Sequence, residues 1–208
     1  MYNIGYLDDE DLEYDNYRVD LLNHDMNLIK IQDIKTKTDL RNYILSLKLD
    51  CLIIDYNLNK FRQKEIQDGN ELVRYINSEI PDFPCIILTS YPEESKDEKT
   101  VINSFILDRD VLTNDTDGVE YKELVDKITN NIEVYKKRLM LNKAEFENLM
   151  KQRRANDLSI AEEDRLISLY KILYSYDMVD EINPELLRKE LQVKMNSVIS
   201  KLKELLGE

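Results

Sequence analysis

Acidic and hydroxyl side chains stand at the ends of three short apolar runs in the first half of this chain. Asp8 and Asp9 follow the first run, Asp55 ends the second, and Thr89 ends the third. Apolar runs this short are typical of buried strands, and the carboxyl ends of parallel strands meet at one edge of a sheet. We therefore expect three carboxylates and one hydroxyl to share a site, although they are widely separated in the sequence.

Carboxylates gathered in this way need a cation. Two of them about 4 Å apart repel by roughly 4 kcal/mol at an effective dielectric constant of about 20, so they either take up protons or bind positive charge. Hard divalent cations prefer oxygen ligands such as carboxylates. The sequence therefore predicts that a hard divalent metal ion binds among Asp8, Asp9 and Asp55.

The elements that must position these residues alternate between short apolar runs and amphipathic stretches over the first 130 residues. This alternation is typical of successive strand–helix units. It predicts an α/β fold with a flavodoxin-like, doubly wound sheet of five parallel strands. We expect strands at 3–7, 27–31, 51–55, 85–89 and 104–107, and helices at 16–24, 38–47, 70–78, 94–102 and from 119 onward.

The helix that begins near residue 119 carries a long apolar seam. Its positions recur at alternating intervals of four and three, which is a heptad pattern and predicts a coiled-coil-like contact with a partner helix. The pattern leaves open whether this partner lies in the same chain, in a second copy that would make a homodimer, or in a different protein. The seam comprises Tyr121, Val125, Ile128, Ile132, Tyr135, Leu139, Asn142, Phe146 and Leu149.

Two further helix starts follow the seam. Ser159 with Glu162 has the spacing of a capping box, and Asn183 before Pro184 combines an N-cap residue with a first-turn proline. We therefore expect an α/β domain over 1–130 and, over 119–208, a long helix that continues into an all-α, three-helix interaction or dimerisation module.

The charge distribution separates these two parts. The net charge is −13, and residues 1–130 carry all of it with 15 basic against 28 acidic side chains. An acidic surface repels a nucleic-acid backbone, which argues against direct nucleic-acid binding. No apolar run approaches the roughly 20 residues that cross a bilayer, and the acidic start lacks the basic region of a signal peptide. These features predict a cytoplasmic protein that binds no membrane.

The order and spacing of the motifs resemble those of the receiver domain of two-component signalling, over about three-fifths of the chain. Leu7-Asp8-Asp9-Glu10 resembles the acidic motif after the family's first strand, and Leu52-Ile53-Ile54-Asp55 resembles the third strand with its phosphoacceptor. Ile86-Ile87-Leu88-Thr89-Ser90 resembles the fourth strand with its switch hydroxyl, and Asp68-Gly69-Asn70-Glu71-Leu72-Val73 resembles the helix after the phosphorylation loop.

The resemblance implies a role for each candidate residue. Asp55 would be the phosphoacceptor, and Thr89 would turn its hydroxyl toward the new phosphoryl group, which carries a charge of about −1.5 to −2. Asp8, Asp9, Asp55 and the main-chain carbonyl of Asn57 would hold Mg²⁺, which neutralises the charge that develops during phosphoryl transfer.

Two features depart from the family pattern. Receivers carry a lysine at the end of the fifth strand, whereas the corresponding segment here contains none and offers Arg109 as its counterpart. A guanidinium binds phosphate in a bidentate way but differs in shape from an ammonium group. The stretch from Asp55 to Gly69 is also longer than the usual loop.

The leading hypothesis is a signalling or regulatory receiver that relays its phosphorylation state through the helical module to a protein partner. A histidine kinase or phosphotransfer protein would supply the phosphoryl group, because the chain has no Gly-rich nucleotide loop. Apart from gaining and losing phosphate at Asp55, such a protein is not an enzyme.

The alternative is a pseudo-receiver, a scaffold or adaptor subunit of a larger, for example defence-related, assembly that has no phosphoryl chemistry. A metal-dependent hydrolase is a weaker alternative, because adjacent Asp8 and Asp9 lack the Asp-x-Asp spacing of haloacid-dehalogenase-type phosphatases.

Overall fold

The computed structural model of the chain describes residues 1–8, 14–32, 34, 36–58, 68–90, 104–112, 118–155 and 158–206. The helix predicted at 94–102 and most of the stretch between Asp55 and Gly69 lie outside these residues. The strands are β1 (Tyr2–Leu7), β2 (Met26–Lys30), β3 (Cys51–Asp55), β4 (Cys85–Thr89) and β5 (Ser104–Asp108). The helices are α1 (Tyr14–Leu22), α2 (Lys37–Ser46), α3 (Gly69–Glu79), α4 (Val119–Ala155), α5 (Ile160–Ser175) and α6 (Lys189–Leu206), with 3₁₀ turns at Arg109–Leu112 and Pro184–Leu187.

All five strands belong to one sheet, in the order β2-β1-β3-β4-β5. Every neighbouring pair is parallel. This is the flavodoxin-like order of a doubly wound sheet, so the predicted fold class is confirmed. In such a sheet all carboxyl ends lie along one edge, which is the arrangement that the candidate site requires.

The side chains of each strand alternate between two apolar layers, because successive residues of a strand point to opposite faces. Ile53 of β3 belongs to a core that α1 and the first part of α4 complete. Ile54 faces the other way and meets the start of α3 at Gly69. Since both faces are covered, the strands are apolar almost throughout, as parallel strands usually are.

Local signals determine where several helices begin. Thr36 caps α2 and forms a capping box with Asp39, whose side chain accepts a hydrogen bond from the Thr36 amide at 2.8 Å. Asp68 caps α3 by accepting a hydrogen bond from the amide of Glu71 at 2.8 Å. The capping box predicted for Ser159 and Glu162 is present at the start of α5. Each cap satisfies amide groups that the first helical turn leaves without a backbone partner.

The chain forms two compact units, Met1–Lys136 (the first unit) and Lys137–Glu208 (the second unit). Helix α4 contributes residues to both. In the first unit, its seam residues from Tyr121 to Ile132 are buried against the sheet. In the second unit, Phe146 and Leu149 pack against α5. At these positions the partner of the heptad seam therefore lies within the same chain.

The segment after Asn183 differs from the helix that the Asn-Pro signal predicts. Pro184–Leu187 is a 3₁₀ turn, and α6 begins only at Lys189. Tertiary contacts explain the difference: Leu187 is buried in the core of the second unit, and the Leu186 carbonyl accepts a hydrogen bond from Arg153 Nη2 at 2.9 Å. No helix within the described ranges has the length and the apolar content that crossing a membrane requires.

Candidate functional site

The register of β1 and β3 places two acidic residues side by side at the carboxyl edge of the sheet. Leu7 pairs with Ile54, so the next residues along the two strands are Asp8 and Asp55. Both side chains are buried, with 2% and 7% of their surface exposed. Burying a carboxylate is costly unless it is paired, so both acids require partners.

Arg109 provides a partner for both carboxylates. It directly follows β5, and its Nη2 atom lies 2.6 Å from Asp55 Oδ1 and 3.1 Å from Asp8 Oδ2. The guanidinium is itself largely buried, with 21% of its side chain exposed. One nitrogen therefore joins two acids that stand 47 positions apart in the sequence.

These contacts keep the Arg109 guanidinium in its protonated, positively charged form. Burial of the guanidinium lowers the pKa of Arg109, but the negative charges of Asp55 and Asp8 together outweigh this effect and raise the pKa above its ordinary value. Arg109 is therefore a permanent cation at the edge of the sheet.

Tyr6 is a site residue that sequence reasoning missed. Its phenol oxygen donates a buried hydrogen bond of 2.6 Å to Asp8 Oδ2, the same oxygen that Arg109 contacts. Burial, followed by this hydrogen bond, raises the pKa of Tyr6, so the phenol stays a donor. The available signal was the alternation of a strand, which places residues 6 and 8 on the same face.

Thr89 lies at the same edge, one strand further along. Asp55 pairs with Leu88, and Thr89 pairs with Asp108, the residue before Arg109. The Thr89 side chain is buried. The predicted switch hydroxyl therefore lies at the carboxyl end of β4, the strand that neighbours the strand of Asp55.

The backbone of Asp55 is in close contact with the start of α3. A Cβ atom added to Gly69 would lie 2.6 Å from the carbonyl oxygen of Asp55 and 3.2 Å from a methyl group of Ile54. The Gly69 amide donates a hydrogen bond of 3.1 Å to the Tyr56 carbonyl. Glycine is needed here because only a residue without a side chain permits this approach.

The structure gives less information about two of the predicted metal ligands, Asp9 and Asn57. Asp9 lies outside the described residues. Asn57 is described, and its side chain is exposed just after β3. The structure thus brings together Asp8, Asp55 and Arg109 and places Thr89 at the end of the neighbouring strand.

The donor set at this edge is compatible with a hard divalent cation. Asp8 and Asp55 both direct an oxygen to one nitrogen atom, so their carboxylates already converge on a positive charge. Carboxylate oxygens are the protein ligands that Mg²⁺ prefers. Among the described residues no group of three or more His, Cys, Asp or Glu side chains could hold a metal, and the third predicted carboxylate, Asp9, is not among them. The residues present therefore fit Mg²⁺ as a partial ligand set.

Comparison with known proteins gives similarity in structure only. No protein-family model matches the chain, and no curated protein matches it in sequence. A response regulator receiver domain protein from Clostridium thermocellum is 20% identical, with 65% of this chain and 98% of that chain covered and a TM-score of 0.47. The signal receiver domain of an HD domain-containing protein from Pseudomonas fluorescens Pf-5 is 18% identical, with coverages of 66% and 91% and a TM-score of 0.49.

A third similar structure spans nearly the whole chain. Full-length FixJ from B. japonicum is 18% identical, with 97% of this chain and 90% of that chain covered and a TM-score of 0.48. The fold assignment itself follows from the strand order: the chain consists of a flavodoxin-like α/β unit followed by a helical extension.

Proposed function

We propose that this protein is a receiver-type regulatory module that is phosphorylated on Asp55 in the presence of Mg²⁺. The observation that carries the proposal is the contact of one Arg109 nitrogen with two buried carboxylates at the carboxyl edge of a doubly wound sheet. Ligands of such sheets bind at this edge. The site supplies a nucleophilic oxygen, a second acid for a metal, and a permanent positive charge, which are the groups that phosphoryl transfer uses.

In the proposed reaction Asp55 is the nucleophile. One of its carboxylate oxygens forms a bond to the phosphorus of a phosphohistidine or acyl phosphate donor, while the bond from phosphorus to the donor atom breaks and the donor keeps the electron pair. Asp8, Asp9, Asp55 and the main-chain carbonyl of Asn57 would hold Mg²⁺, which would neutralise the phosphoryl charge. The donor is a histidine kinase or a phosphotransfer protein.

Arg109 and Thr89 respond to the added charge. The phosphoryl group brings about −1.5 to −2 units of charge and three acceptor oxygens. Arg109 exchanges its contact with the Asp55 carboxylate for the phosphoryl oxygens, to which a guanidinium can donate two parallel hydrogen bonds. Thr89, at the end of the adjacent strand, turns its hydroxyl to the same group.

The phosphorylation state reaches a protein partner through α4. The first part of this helix is buried against the sheet, and its later part belongs to the second unit. Near the boundary between the units, Glu133 accepts a hydrogen bond from Tyr2 at 3.0 Å, and Lys136 lies 2.7 Å from Asp50 Oδ1. Asp50 lies at the amino end of β3, so these contacts attach α4 to the sheet whose carboxyl edge carries the site.

The proposal is tested by treating the protein with acetyl phosphate and Mg²⁺ and measuring the intact mass. We expect one added phosphoryl group, which is lost when Mg²⁺ is chelated before the reaction. Asp55→Asn is the matched control, because it keeps the size of the side chain and removes the nucleophilic oxygen. Unchanged mass in the wild type with acetyl phosphate and with a phosphorylated histidine kinase domain would refute the proposal.

The same contact favours a second candidate function, a pseudo-receiver scaffold. Arg109 already neutralises part of the charge of Asp8 and Asp55 without any metal. In this case the site is a structural ion cluster, and the unit acts by binding other proteins. Retention of fold and partner binding in Asp55→Asn, together with no phosphorylation of the wild type, would support the scaffold.

A further inference from the structure

The hydrogen bond between Tyr6 and Asp8 is short and buried. Its length of 2.6 Å lies in the range of about 2.5–2.7 Å that is typical of a hydroxyl donating to an ionised carboxylate. Arg109 Nη2 lies 3.1 Å from the same Asp8 oxygen. Asp8 Oδ2 therefore receives one neutral donor and one charged donor at the same time.

The two donors differ in how firmly they are held. Tyr6 is 2% exposed, and its ring belongs to the core, where it lies 5.7 Å from the Tyr14 ring and 6.0 Å from the Tyr17 ring between centroids. Arg109 is a longer side chain with 21% of its surface exposed. The phenol is thus the fixed donor and the guanidinium is the movable one.

We propose that Tyr6 is a positioning residue for Asp8, which it holds in one orientation while Arg109 or Mg²⁺ occupies the site. A buried carboxylate that loses a charged donor pays the cost of an unsatisfied group. The hydrogen bond from Tyr6 lowers this cost and keeps the Asp8 carboxylate aimed at the site when Arg109 moves to another ligand. The part of this inference that concerns Mg²⁺ rests on the proposed function.

The first test measures Mg²⁺ binding by titration calorimetry with the wild type, Tyr6→Phe and Tyr14→Phe. Tyr14 is the matched control: it belongs to the same ring cluster, but its hydroxyl contacts the Leu28 carbonyl at 3.0 Å and the Lys30 amide at 3.2 Å instead of the site. Loss of a group that orients a metal ligand typically weakens binding by 10-fold or more, so we expect Tyr6→Phe to bind Mg²⁺ about tenfold more weakly and Tyr14→Phe to stay within about twofold of the wild type. Equal affinity of Tyr6→Phe and wild type, or equal losses in both variants, would overturn the inference.

The second test needs no metal. In proton NMR spectra recorded in metal-free buffer, we expect a downfield, slowly exchanging hydroxyl signal that disappears in Tyr6→Phe and persists in Tyr14→Phe. In Asp8→Asn the signal should move upfield, because a neutral amide oxygen is a weaker acceptor than a carboxylate. A spectrum of the folded wild type without such a signal would overturn the positioning role. Circular dichroism of each variant establishes that it is folded.

The two tests separate this inference from the proposed function. A wild type that shows the hydroxyl signal but binds no Mg²⁺ would refute the metal-dependent function and the metal part of the inference, while it would support the positioning of Asp8. A wild type that binds Mg²⁺ and is phosphorylated, with Tyr6→Phe unchanged in both respects, would refute only the role of Tyr6.

Discussion

The three charged side chains at the edge of the sheet determine how strongly a metal cation can bind there. Asp8 and Asp55 carry two negative charges and Arg109 carries one positive charge, all in a largely buried environment. The gain from pairing buried ions is offset by the cost of removing them from water, and removing one member leaves the others uncompensated. Arg109 thus both stabilises the metal-free site and competes with a cation for the same oxygens.

Arg109→Gln is expected to reverse the balance between these two roles. Without magnesium, the variant should lose about 3 kcal/mol of unfolding free energy, because two buried carboxylates lose a shared charged partner. Mg²⁺ should then stabilise the variant more than it stabilises the wild type, since the competing cation is gone. Urea unfolding in chelator and in excess Mg²⁺ measures both effects.

Arg109→Lys is the matched control for this experiment, because it keeps the positive charge and replaces the planar guanidinium with a compact ammonium group. Its metal-free stability should lie between the wild type and Arg109→Gln. If Mg²⁺ stabilises Arg109→Gln no more than it stabilises the wild type, the hypothesis that Arg109 competes with the metal is wrong.

At the scale of elements, the site depends on how closely α3 approaches the end of β3. The Asp68 cap fixes the start of the helix, and Gly69 brings its first turn against the Asp55 carbonyl. The helix therefore sets the position of the strand end that carries the phosphoacceptor candidate. Small changes at this contact are transmitted to the backbone, because packed interiors have little free space.

Gly69→Ala is expected to disturb both stability and the site. The added methyl group would meet a backbone oxygen at 2.6 Å, and such overpacking typically costs about 1–3 kcal/mol. The displaced strand end should also slow phosphorylation by acetyl phosphate. Urea unfolding and intact-mass time courses measure the two effects.

Ser78→Ala, at an exposed position of the same helix, controls for a general effect of substitution in α3. It should leave the phosphorylation rate unchanged. A Gly69→Ala protein with wild-type stability and wild-type phosphorylation would show that the strand end tolerates the methyl group and that this contact does not position Asp55.

At the scale of the whole molecule, the described residues of each unit form an apolar core of their own. The apolar cluster that contains Ile53 lies on one face of the sheet in the first unit, and the core of the second unit combines Phe146, Leu149 and Met150 of α4 with residues of α5 and with Leu187. Separate cores favour local unfolding of one unit without the other. We therefore expect the second unit to open locally while the site in the first unit stays intact.

Leu166→Ala is expected to destabilise only the second unit. Leu166 is fully buried, and truncating a buried leucine costs about 2–5 kcal/mol. Hydrogen exchange measured by mass spectrometry should show lost protection in the second unit, while the first unit keeps its protection and its reaction with acetyl phosphate.

Leu52→Ala is the matched control in the first unit, since Leu52 is equally buried in β3. It should reduce protection of the sheet and the phosphorylation of Asp55. Equal loss of protection in both units for either variant would show that the chain unfolds as one cooperative body.

Local patterns in the sequence were sufficient to predict the strands, their common edge and the presence of Asp8 and Asp55 there. A strand or helix pattern shows which face of an element is apolar, and the rules of parallel sheets then place the ends of β1, β3 and β4 together. The capping box at Ser159 was readable for the same reason, because its groups lie within one helical turn.

The tertiary structure alone decided which side chains meet. The heptad seam of α4 showed an apolar face but could not show that the sheet covers one end and α5 the other. The contact of Arg109 with Asp8 spans 101 positions, and the bond from Tyr6 depends on how deeply its ring is packed. Such contacts arise from the packing of distant segments, whereas a sequence pattern records only the preferences of neighbouring residues.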